Sequence, residues 1–121
     1  MLITLKDGYV HSYCIVGELI DSIEVSEPTD MSHFESHSSA YKLVDGELIF
    51  DSAKEEVIEL ERTKDELRKR REKECFAVVD RSHFWYDNLT EEQKTELKEW
   101  YDAWLIVTNT LIVPDKPDWL N

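Results

Sequence analysis

Hydrophobic and polar positions change rhythm twice along the chain. Over residues 1–50 they come as short β-rich runs. "LITLKDGYVHSYCIV" places two such runs around Lys6-Asp7-Gly8. An Asp-Gly pair between them predicts a hairpin, because both turn positions favour positive φ. "SIEV" at 22–25 alternates and offers a third strand. "AYKLV" and "ELIF" then flank Asp45-Gly46 in the same way, and Gly8, Gly17 and Gly46 all lie in this part. The pattern predicts a small antiparallel sheet. Between the hairpins, "EPTDMSHFESHSS" reads equally as a single helical turn capped by Asp30 or as an irregular loop.

From Asp51 the rhythm becomes helical. "DSAKEEVIELERTKDELRKRREKEC" contains neither Gly nor Pro, and Asp51 is placed to cap it. Glu55, Glu56, Glu59 and Glu61 lead, while Arg68, Lys69, Arg70, Arg71 and Lys73 follow. That order complements the helix dipole at both ends. The apolar seam is thin. Val57, Leu60 and Leu67 keep helical spacing, but Lys64 and Arg71 interrupt them. A solvated connecting helix, a helix laid across the sheet and a weak coiled coil joining two copies all fit.

The third rhythm is aromatic. "CFAVVDRSHFWYDN" reads as an apolar connector, strand or loop. Thr90-Glu91-Glu92-Gln93 is a capping box, in which the Thr hydroxyl and the Gln side chain each satisfy a free backbone amide. Leu97, Trp100, Tyr101, Trp104 and Thr108 then fall on one helical face. "LIVTNTLIV" is β-branched, so residues 105–113 fit helix or strand. Pro114 and Pro117 end regular structure, leaving an extended tail anchored by Trp119. The fold class is therefore α+β, in three parts: a sheet over 1–50, a long charged helix over 51–75 and an aromatic helical region over 76–121.

Charge narrows the function. The chain has 121 residues and a formal net charge of −13. Such a field repels phosphate backbones and argues against nucleic-acid binding. It suits plain solubility, a basic partner or imitation of an acidic polymer. The bases concentrate at the end of the long helix, where they are available to dock on acids of this chain or of a sister copy. No run is apolar for long enough to cross a membrane, and "MLITLKDGYV" lacks a secretory leader, so a cytosolic protein is expected. Cys14 and Cys75 show no CxxC pattern and are expected to be reduced thiols.

Candidate chemistry is sparse. His33 and His37 in "HFESH" share a helical face, but Glu35 does not directly follow the first His, as a zinc protease needs. Surface histidines are the plainer reading, and neither metal nor cofactor is expected. Cys75 lies near Arg70, Arg71 and Lys73, yet a buried helical cysteine explains it as well as an activated thiol does. No glycine loop cradles phosphate, and no nucleophile has a base beside it. An enzyme is not expected. The aromatic face serves as core, as a partner anchor, or as both. Leu97, Trp100, Tyr101, Trp104 and Trp119 are the expected partner or self contacts.

Over residues 67–120 the order of elements resembles the C-terminal region of bacteriophage tail assembly chaperones and tail-fibre assembly proteins. The resemblance rests on the Arg-rich helix with Leu67, Arg68 and Arg71, an aromatic segment around Trp85 and the "LTEEQ" helix start. It continues through Trp100, Tyr101 and Leu105 to the closing Pro114, Pro117 and Trp119. The resemblance implies a non-enzymatic assembly accessory that holds a tail-fibre or baseplate protein, in the host cytoplasm during phage assembly or in the virion tail. Alternatives are a minor structural tail protein retained in the particle and an acidic DNA mimic that inhibits a host nuclease.

Overall fold

The computed structural model describes residues 1–121. They form two compact units, Met1–Leu60 and Glu61–Asn121. The long helix crosses from one unit into the other.

In the first unit, β1 (Leu2–Lys6) and β2 (Tyr9–Cys14) form one hairpin and β4 (Tyr41–Val44) and β5 (Glu47–Phe50) another. With β3 (Ile23–Glu24) they make an antiparallel sheet of order β3-β1-β2-β4-β5. Both Asp-Gly turns form as the pattern predicts. Asp7 and Gly8 have φ of 55° and 85°, and Asp45 and Gly46 have 50° and 82°. Positive φ at both central positions matches the right-handed twist of the flanking strands. "SIEV" contributes β3, but only as two residues on the edge beside β1.

Pairing skips a residue opposite Thr4 and Leu5, because Ser12 and Val10 are their partners and His11 is left over. This bulge keeps Ile3, Val10 and Tyr13 on one face. There they meet α1 (Met31–His37), a longer helix than the single turn the pattern allows. Asp30 caps it by accepting from the His33 amide at 3.0 Å. Phe34 is fully buried at the centre, with Tyr13 and Tyr41 edge-on at 4.9 and 5.0 Å.

The opposite face of the sheet holds the start of α2 (Ser52–Arg71). Asp51 accepts from the Lys54 amide at 3.2 Å, from the Tyr9 hydroxyl at 2.7 Å and pairs with Lys42 at 3.6 Å. One carboxylate therefore caps the helix and ties it to two strands. The Tyr9 hydrogen bond, then the Lys54 amide, hold the Asp51 carboxyl below its ordinary pKa, and the same bond raises that of the Tyr9 hydroxyl. The signs set two windows. The Asp51 contribution is present above its unfolded pKa of about 4 and disappears as pH falls through the lowered folded value. The Tyr9 contribution is present below about pH 10 and is lost as pH rises through the raised folded value. Asp51→Ala is expected to lower the thermal midpoint of the sheet unit at neutral pH, and the difference from wild type should vanish in strong acid. Melts of both proteins across pH check this; an equal deficit at every pH would refute it.

In the second unit the helix runs on where a connector is expected. A π-turn, Glu72–Phe76, follows α2, then come α3 (Ala77–Val79) and α4 (His83–Asp87). Eight residues overshoot two α-helical turns by about 80°. The wider turn absorbs the excess and lets Leu67 and Cys75 face the same core. The capping box starts α5 (Glu91–Leu105): the Gln93 amide donates to Thr90 Oγ1 at 3.1 Å and the Thr90 amide to Gln93 Oε1 at 2.9 Å. Residues 105–113 take no strand. Helix resumes in α6 (Val107–Thr110), and Leu111, at φ 59°, ends it.

Candidate functional site

The aromatic face of α5 is the core of the second unit. Leu97, Trp100 and Trp104 are buried, Trp104 with 1% of its surface exposed, together with Leu67, Cys75, Val107 and Leu120. Tyr101 is half-buried at the edge of this cluster. The five expected contact residues therefore divide. Leu97, Trp100 and Trp104 spend nearly all their apolar surface inside the unit, so packing is the role that their burial gives them. The physical reason is that these side chains carry the largest apolar surface on α5, and Leu67, Cys75, Val107 and Leu120 pack with them and cover it.

Trp119 is half-buried, and its indole N–H donates to Glu96 Oε2 at 2.9 Å. The tail is anchored more deeply by Leu120, which has 1% of its surface exposed. Sequence reasoning missed Leu120, since an isolated leucine in "PDWLN" carries no periodicity. Arg81 holds the end of the tail by donating to the Asn121 carbonyl. The Nε1 atoms of Trp100 and Trp104 are enclosed without an acceptor, so this core holds two unmatched donors.

Three bases at the end of α2 are engaged within the second unit. Arg68 pairs with Asp65 and Arg70 with Glu74, each at 2.6 Å. Arg71 donates to the Leu105 carbonyl at 3.3 Å and lies over the Phe76 ring. Cys75 is fully buried, and burial pushes its thiol up to about 11 against a smaller opposing effect of Arg71. A thiol held protonated is a poor nucleophile. In the first unit, the His33 and His37 rings stack at 4.4 Å. His33 Nδ1 is shared with the Tyr41 hydroxyl at 2.7 Å and His37 Nδ1 with the His33 carbonyl at 3.1 Å. Both rings are thus engaged in packing against β4 and β5.

What α5 does present outward is a groove of about 420 Å³ formed with α4. Trp85, Tyr86 and Tyr101 supply its rings, and Arg81, Lys94 and Lys98 its charges. The Arg81 guanidinium lies 4.6 Å from the Trp85 ring centre and the Lys94 ammonium 5.2 Å from that of Tyr86. These cation–π contacts hold ring and charge side by side. Lys98 is exposed and pairs with Asp102 at 2.9 Å, a bond that raises its amine pKa. Phe84, beside the groove, is 68% exposed. Of the expected contacts, Tyr101 and one side of Leu97 reach this groove. The segment that builds it, "DRSHFWYDN", is the one whose local structure the pattern leaves open. Its clustered aromatics are the signal that marks it.

Residues 1–56 are similar to a family described as a protein of unknown function (DUF2977). The match covers the sheet and the start of α2 and stops short of the groove. No curated protein and no solved structure matches the chain. No helix is long and apolar enough to cross a membrane.

Proposed function

We propose that this chain is a non-enzymatic phage tail assembly accessory protein that holds a tail-fibre or baseplate protein by direct contact. The observation that carries the reading is the open groove of α4 and α5, where half-buried Trp85 and Tyr101 and exposed Tyr86 lie beside Arg81, Lys94 and Lys98 on the unit that bears the phage resemblance. Aromatic and arginine side chains dominate binding hot spots, because they offer large rigid contact area with a polar handle. A module of this kind covers apolar surface on an incompletely assembled client and limits its aggregation. The work is done in the host cytoplasm during assembly. Val57 and Leu60 remain exposed on α2 and give two copies a stripe along which to pair, whereas Leu67 is committed to the core.

The test is co-expression with each tail-fibre and baseplate protein encoded in the same genome. The expected result is co-purification with one of them and a higher soluble yield of that protein. Absence of any such pairing would overturn the reading. Stable presence of the chain in purified particles would instead favour a structural tail component.

A further inference from the structure

We infer that the groove between α4 and α5 receives an acidic segment of the partner that carries a bulky apolar side chain. This deepens the contact reading and rests on it. Residues 76–121 contain nine acids and four bases. Three of those four bases, Arg81, Lys94 and Lys98, line the groove, and none of the nine acids does. In a chain of net charge −13, this places a cationic concavity where the surrounding field is negative. Such a site favours carboxylates at close range, where the three groove cations outweigh the screened field of the rest of the chain.

The floor sets the second requirement. Trp85, Tyr86 and Tyr101 give an aromatic surface that water covers poorly, and His83 and Val79 extend it. A bare anion would leave those rings wet, so the occupant brings an apolar group as well as charge. The cations are available for exchange. Lys94 pairs with Glu91 at 3.6 Å and Lys98 with Asp102, both across a single helical turn with acids that are more than half exposed. Exposed pairs of this kind are weak, so a partner carboxylate competes with them at small cost. Single-stranded nucleic acid also pairs rings with cations. An extended strand of phosphates runs past the three groove cations onto the acidic surface around them, whereas a short acidic segment is confined to the groove; single-stranded nucleic acid forms one outcome of the test.

The full chain, labelled with ¹⁵N, is titrated with four probes: a synthetic Glu-rich peptide carrying one Phe, its counterpart with Lys for Glu, its counterpart with Ala for Phe, and oligothymidine. The acidic Phe peptide is expected to shift the Trp85 indole and the amides of residues 81–86 and 94–101. Its affinity should fall about tenfold as NaCl rises from about 50 to about 300 mM. It should also fall about tenfold in the Lys94→Gln/Lys98→Gln variant, which keeps good helix formers at both positions. The Ala counterpart should bind more weakly than the Phe peptide, and the Lys counterpart should leave the spectrum unchanged. Equal response to the Lys peptide, the same shifts with oligothymidine, shifts confined to other residues, salt-insensitive binding or no response at all would each overturn the assignment. Peptide capture without a tail-protein partner would leave the groove assignment standing and remove the assembly role. Tail-protein capture that survives the double Gln replacement would do the reverse.

Discussion

Trp104→Ala is expected to lower the stability of the helical unit by about 3–5 kcal/mol, the range for emptying a large buried aromatic site. Trp104 touches solvent with only 1% of its surface and packs among Leu67, Cys75, Leu97, Trp100, Val107 and Leu120. Its removal opens a void bordered by α2, the π-turn, α5, α6 and the tail, too many elements to collapse inward together. Small domains carry roughly 5–15 kcal/mol in total, so the loss is a large fraction of the stability. Trp104→Phe is expected to cost less than Ala. It keeps most of the apolar volume and deletes an indole N–H that lacks an acceptor, an unmatched donor worth about 1–3 kcal/mol. Urea denaturation followed by far-ultraviolet circular dichroism measures both. A Phe variant as unstable as Ala would refute this ranking. One consequence is practical: a Trp100/Trp104 double alanine variant reports on packing, and loss of partner capture in it would say nothing about contact.

Phe34→Ala is expected to cost the sheet unit about 3–5 kcal/mol. Phe34 is fully enclosed, and two tyrosine rings meet it edge-on, an arrangement worth about 0.5–1.5 kcal/mol per pair beyond the area buried. It is also the buried residue of α1, so its loss releases that helix from the sheet. Tyr13 and Tyr41 lose their common partner, and the face of Ile3, Val10 and Val25 is opened to water. Near-ultraviolet circular dichroism should lose the contribution of Tyr13 and Tyr41, and amide exchange should accelerate across β1 and β2. Retention of slow exchange in both strands would refute the central role of this ring.

The elements that were legible are those set by neighbours in sequence. Each Asp-Gly turn needs only its own two residues to take positive φ. The Thr90 capping box closes within four positions, and Asp30 and Asp51 cap by reaching amides three residues on. The helical turns within 76–87 were not legible, although the helix was read as far as Cys75. A π-turn shifts the phase of its apolar positions, and what holds it is the burial of Cys75 against α5, a distant part of the chain.

The aromatic face shows the same division at the level of function. Periodicity alone placed Leu97, Trp100, Tyr101 and Trp104 on one side of α5, because side chains three or four apart on a helix share a face. Whether that side meets solvent, a partner or the chain itself depends on what lies opposite, and periodicity holds no information about that. Only the tertiary structure supplied the answer, by bringing Leu67, Cys75 and Leu120 to cover it. It also gathered Arg81, Trp85, Lys94 and Lys98 from separate turns into one groove. Local pattern decided which elements exist, since their hydrogen bonds close within a few residues. The use to which each face is put was decided by long-range packing.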